Sequence, residues 1–294
     1  QGGSNQGGSS QGGAAGEGGA AGTGGSVADA SIDVEEDAAP AWPTCDAKPA
    51  NVPQKTIPEI WADNASVATQ VWVPGAYITA ISKGGCVAGS RCQIFLQADE
   101  TYPSFSAGAK HGIRLVVSST VADKFVGLAV GDKVDVLGHA WRNDQNPPQN
   151  ELLLDVNKGL PGCAKKVGAG NPQPISGVKL SDLTHDAFEN THGPLLVKVD
   201  AVSGKPGPAG EIFALWNTAG PFVDSGLETV VNASPYFLPD GKFTGLPTDT
   251  LTTVKFASVT GVFAVYVWST DAGVGPKYLV LYPRQNTELV KLTP

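Results

Sequence analysis

The 294 residues are 41% hydrophobic and carry a formal net charge of −8, enough apolar content for one large or two ordinary cores. No apolar run reaches the roughly 18 to 20 residues that a membrane-crossing helix needs, which excludes such a span. The charge excludes the basic stripe of a phosphate-tracking protein: residues 1–44 hold six acids and no base, and the other 22 acids face 20 bases.

Residues 1–28 run QGGSN, QGGSS, QGGAA and then dissolve into Gly and Ala. Such a composition buries too little apolar surface to offset its ordering entropy, so a flexible tether is expected. Glycine at positions 13, 16, 19, 22 and 25 also has the spacing of a packed polyglycine-II-like helix, which would let the arm self-associate. The stretch resembles the linkers that follow the lipid-bearing cysteine of bacterial surface lipoproteins, and the resemblance implies an anchor ahead of Gln1. The chain holds no Met and starts at Gln1, and is read as a mature, exported form after removal of a signal peptide.

Pro40, Pro43, Pro49, Pro53 and Pro58 punctuate an extended lead-in that carries Cys45. Four cysteines in an exported chain favour two disulfides over thiols, and Cys-x5-Cys without a second pair is not metal-ligand spacing. Three connectivities exist. The favoured one joins Cys86 to Cys92 across a hairpin tip and Cys45 to Cys163 across the first domain.

Ile57–Trp61 reads as a short helical turn and Gln70–Ser82 as a first long strand. Pro74-Gly75 marks that strand as an edge or a bulge, so it is also a candidate interface element. Gln93–Gln97 and Gly112–Val117 follow as strands, then a helix over Ser119–Phe125 capped by Ser119 or Thr120. Lys133–Trp141 alternates as a half-buried strand after the Gly131-Asp132 turn, with Gly138 where a bent strand needs no Cβ. The apolar run Glu151–Val156 closes the set.

Five strands with a helix between the third and fourth resemble an OB-fold, and specifically the OB-like modules of secreted bacterial surface proteins. The resemblance rests on Ile94-Phe-Leu-Gln-Ala-Asp99, Gly112–Val117, Val130–Gly138 and Leu152–Leu154, about 90 residues in all. The plan then repeats. Val178–Leu183, Pro194–Ser203, Glu211–Trp216, Phe256–Trp268 and Lys277–Leu281 answer the elements of the first half, with Gly261 in the place of Gly138. Ile94 to Gly138 spans 44 residues and Ile212 to Gly261 spans 49. Only a weak strand at Glu228–Val231 stands where a third strand and helix belong, which leaves open whether the second barrel closes. Related modules end with Pro-Arg and a polar pair, which implies that Arg284 is a structural buttress.

The reading is therefore all-β: a Gly-rich, acidic arm (1–44), a first OB-like barrel (45–170) and a second, divergent one (171–294). No nucleophile–base pair, carboxylate dyad, Walker loop or metal-ligand set is present, so no catalytic residue, metal or cofactor is assigned and the chain is not read as an enzyme. OB barrels bind oligonucleotides or oligosaccharides on strands two and three and the flanking loops. The aromatic and cationic candidates for ligand contact are Tyr102, Phe105, Arg114, Trp141, Arg142, Trp216, Tyr236 and Phe237, with Tyr102, Phe105, Tyr236 and Phe237 expected in exposed loops. Residues 45–170 carry 12 bases and 11 acids, and residues 171–294 carry 8 and 11, without clusters. Nucleic acid is not the expected partner; a glycan or protein at the cell surface is. The alternatives are a structural subunit that packs through its arm and an extracellular single-strand binder.

Overall fold

The computed structural model describes residues 43–63, 67–82, 85–102, 110–143, 149–154, 158–207, 212–217, 231–270 and 273–292. The expectations for the Gly-rich arm, for Phe105 and for Glu228–Val230 lie outside these residues.

The first barrel is built from β1 (Thr69–Ile81), β2 (Cys92–Gln97), β3 (Gly112–Val117), β4 (Asp132–Asn143) and β5 (Gln149–Leu154). Its strands close in the ring β1–β2–β3–β5–β4–β1, antiparallel throughout except for the parallel pair β3–β5, which is OB-like topology. A sixth strand, β6 (Cys163–Ala169), adds to the outer side of β4. The alternation of side chains sends Ile78, Ile94, Leu96, Ile113, Leu115, Val134, Val136 and Leu152 inward, all with no exposed surface. Helix α1 (Ile57–Asp63) adds Ile57, Ile60 and Trp61 to this core. Its first turn is closed reciprocally: the Thr56 N–H donates to Glu59 Oε2 at 2.7 Å and the Glu59 N–H to Thr56 Oγ1 at 3.4 Å.

Of the two readings of Pro74-Gly75 in β1, edge or bulge, the structure shows the bulge. The first half of β1 pairs with β4 and its second half with β2, because closing a barrel uses both sides of the first strand. Pro74-Gly75 sits in the bulge where the β4 register shifts, and the Gly75 N–H turns away to Asp135 Oδ1 at 2.8 Å. The lead-in meets the other side of Trp72: its N–H donates to Pro53 O and its carbonyl accepts from the Lys55 N–H, both at 2.9 Å. The Ser119–Phe125 helix also contracts, to a single 3-10 turn over Ala122–Phe125 with Val121 at the N-cap position. The side chains of Ser118 and Thr120 hydrogen-bond each other at 2.9 Å, and none caps the turn.

Both expected disulfides are present, Cys45–Cys163 and Cys86–Cys92, and no cysteine is free. Cys45, Cys163, Val52, Trp72 and Leu137 form a small apolar cluster beneath the lead-in, separate from the barrel interior.

The second half comprises β7 (Ile175–Val178), β8 (Leu195–Pro206), β9 (Phe213–Asn217), β10 (Val231–Ala233), β11 (Val254–Thr270), β12 (Gly273–Tyr282) and β13 (Leu289–Lys291). The ring β8–β9–β10–β12–β11–β8 closes, with β10–β12 parallel in the place of β3–β5. The closing piece β10 is three buried residues. Of the two glycines expected to relieve a bend, Gly261 is the constrained one: a Cβ there would stand 2.8 Å from the Tyr282 backbone, whereas at Gly138 it would meet Leu152 Cβ at an ordinary 3.5 Å.

Ala201, exposed on β8, is held at φ 53°, a conformation that costs an L-residue about 1–2 kcal/mol. Ala201→Gly is expected to stabilise the fold by about 0.5–1 kcal/mol after the added chain entropy of glycine is subtracted. Urea denaturation should show a higher midpoint at unchanged slope.

Candidate functional site

The outer face of β2 and β3 is where OB barrels hold ligands. In this chain the second barrel covers much of it. Ile94 and Leu96 point into the first barrel, so Phe95 and Gln97 point out, yet both are buried, at 2% and 0% exposure. The Phe95 ring lies 5.1 Å from that of Phe237 and 6.0 Å from that of Tyr282, and Phe95 and Ala80 belong to the same apolar cluster as the second barrel's interior. The Gln97 side-chain carbonyl accepts from the Leu196 N–H at 3.4 Å, while its amide donates to Asp99 O at 3.0 Å. At the start of β3, a Cβ on Gly112 would fall 1.5 Å from Pro194 O, so only glycine permits this approach of the two backbones. Trp61 Nε1 donates to Gly112 O at 2.8 Å, and Gly193 packs against the Trp61 ring. The linker between the barrels joins in: the Gln173 N–H donates to Glu100 O at 2.9 Å.

This seam relocates two of the expected loop aromatics. Phe237 is 4% exposed, not solvent-facing. The 3-10 turn Pro235–Phe237, capped by Ser234 Oγ, directs Phe237 into the seam and leaves Tyr236 45% exposed. Tyr102 is half-buried; its ring stands 4.6 Å from that of His111, and its hydroxyl accepts from the Asp99 N–H at 2.8 Å. Burial pushes the Tyr102 hydroxyl above the usual phenol range.

No protein-family model and no curated protein matches the chain. Among solved structures it is similar to a chain described as the crystal structure of fission yeast Pot1 and ssDNA, with 11% identity and a TM-score of 0.29, over 81% of this chain and 86% of that one. At that score the likeness adds nothing to the topology that the strand pairings establish.

Of the remaining candidates, Arg114 shares the β2–β3 face, where it lies opposite Phe95, and the others lie elsewhere on the first barrel or outside the described side chains. Arg114 on β3 pairs with Glu151 on β5, directly opposite in the parallel register, and Trp141 on β4 is opposite Glu151 from the other side. Glu151 is 2% exposed, and Arg114 and Trp141 are half-buried. Arg142, one residue on, is half-buried and partnered. Trp216 lies on β9, but its side chain is not among those described. The Lys110 ammonium sits 4.8 Å from the centre of the Trp61 ring, a cation–π contact. Glu151, Gln97 and Gly112 were not singled out from the sequence, because their importance depends on which strands pair and which barrel touches them.

Arg284 stands as the expected buttress: its Nε donates to Glu288 Oε1 at 2.7 Å, and Glu288 is buried. No group of three or more His, Cys, Asp or Glu residues suited to a metal occurs among the described residues, and no described helix is long and apolar enough to cross a membrane.

His139 is 7% exposed, and burial lowers its pKa from the ordinary 6.5. The unfolded chain therefore takes up this proton first as pH falls. The histidine contributes nothing above about pH 6.5, and stability is lost progressively below it until the folded-state pKa is passed. His111, lowered mainly by burial and partly restored by Asp99, acts in the same direction. The denaturation midpoint is expected to drop between about pH 7.5 and about pH 5.5, with a smaller drop in His139→Gln.

Proposed function

We propose that this chain is a non-catalytic exported protein that binds a neutral glycan or a protein at the cell surface through its OB-like barrels, with the Gly-rich arm as tether. The observation that carries the reading is electrostatic. Arg114 is the one basic residue on β2 and β3, and Glu151 neutralises it. A phosphate backbone thus meets no uncommitted cation on the two strands where OB barrels usually hold nucleic acid. Elsewhere Lys165 pairs with Asp46 at 2.7 Å and Lys166 with Asp132 at 2.5 Å, so the lysines of β6 are also matched. The two disulfides fit an oxidising compartment.

The test is fractionation of native cells with thiol labelling, followed by retention of the purified full chain on single-stranded DNA at low and high salt. The expected result is surface or extracellular material without reactive thiols and without DNA retention. Salt-sensitive retention on DNA, or reduced protein in the cytoplasmic fraction, would overturn the reading.

A further inference from the structure

With the outer face of β2 occupied by the second barrel, the row that crosses β3, β5 and β4 is the next candidate surface of the first barrel. It consists of Arg114, Glu151 and Trp141. Cross-strand register places these three residues side by side on one face of the sheet, as Arg114 opposite Glu151 and Glu151 opposite Trp141. Their neighbours along the strands, Ile113, Leu115, Ala140 and Leu152, point the other way into the core. Glu151 holds the guanidinium through Nη2. The Arg114 Nε is buried and has no hydrogen-bond partner among the described residues, while the side chain as a whole is 19% exposed.

We propose that this row is a neutral-carbohydrate subsite, a reading that rests on the proposed surface-binding role. A sugar ring has an apolar C–H face and a rim of hydroxyls. The half-buried Trp141 offers an indole face for the first, and the guanidinium of Arg114 offers donors for the second. Glu151 is a positioning residue: at 2% exposure it is shielded from a ligand, and it fixes the plane of the guanidinium. The pair carries no net charge, which suits an uncharged ligand and gives a phosphate or sulfate nothing to neutralise. Binding here is accordingly insensitive to salt.

The experiment is isothermal titration of the full chain, disulfides intact, with a panel of neutral gluco-, xylo- and chito-oligosaccharides at low and high salt. Saturable binding to one class is expected, unchanged by salt. Trp141→Ala and Arg114→Met are expected to weaken it about tenfold. Trp141→Phe keeps a ring and the fold, and should stay within about threefold of the parent. Glu151→Gln should weaken binding while leaving the circular dichroism spectrum unchanged, and Leu251→Ala, at a fully solvent-facing position in the second half of the chain, should have no effect. Binding that survives both Trp141→Ala and Arg114→Met would overturn the subsite and leave the surface-binding role standing. Failure of the whole panel would overturn the carbohydrate assignment. Salt-sensitive binding to a single-stranded oligonucleotide would overturn both.

Discussion

Phe95→Ala is expected to destabilise the protein by about 3–5 kcal/mol and to split one calorimetric transition into two. Few substitutions on the outside of a barrel strand do this, because such positions are usually wet. Phe95 differs in that its ring is enclosed by Phe237 and Tyr282 of the second barrel and is 2% exposed. Removing it leaves a cavity at the seam, in the apolar cluster that continues into the second barrel, so the coupling of the two barrels should weaken. Gly112→Val should have the same effect by wedging, since its Cβ has no room beside Pro194. A single transition of unchanged midpoint in both variants would show that the barrels are not joined through this face.

The second large effect concerns the lead-in. Cys45–Cys163 closes 118 residues of sequence and Cys86–Cys92 closes 6. In the loop-entropy description these separations correspond to about 4–5 and about 2 kcal/mol. Cys45→Ala/Cys163→Ala should therefore lower the guanidinium midpoint far more than Cys86→Ala/Cys92→Ala. The longer bridge also secures the cluster of Val52, Trp72 and Leu137 and the backbone bonds that Pro53 and Lys55 make to β1. Equal losses from the two double variants would mean that the lead-in is held by packing alone.

Much of the fold is legible in the sequence because period-two alternation and turn residues are local signals. Lys133–Trp141 and Ile94–Leu96 could be placed and oriented from their own residues, and the two disulfides from the positions of the cysteines relative to those strands. What was hidden depended on partners. β10 is three residues long and has no period to read; it is a strand because β9 and β12 flank it. β1 reads as an edge or a bulged strand from its Pro74-Gly75 break until closure of the ring places β4 and β2 on its two sides. Thr120, one of the two caps expected of the Ser119–Phe125 helix, instead shares a hydrogen bond with the Ser118 hydroxyl, and no side chain caps the turn.

The candidate site was less legible for the same reason. Loop position made Phe237 look exposed, whereas its ring packs between Phe95 of the first barrel and Tyr282 of its own. Tyr236, its neighbour, keeps its exposure because the 3-10 turn sends successive side chains in different directions. Arg114 was visible as the cation of β3, but its neutralisation by Glu151 follows from the parallel β3–β5 register, 37 residues apart in sequence. That register pairs the one cation of the face with a carboxylate and leaves the pair without net charge.

Hydroxyl-radical footprinting of the native full chain tests most directly whether the second barrel covers the ligand face of the first. Tyr236, 45% exposed, is expected to label readily, while Phe95 and Phe237, at 2% and 4%, remain protected until the protein is denatured. Labelling of Phe95 and Phe237 at a rate comparable to that of Tyr236 would contradict the account and return the β2–β3 face to the surface as an open binding site.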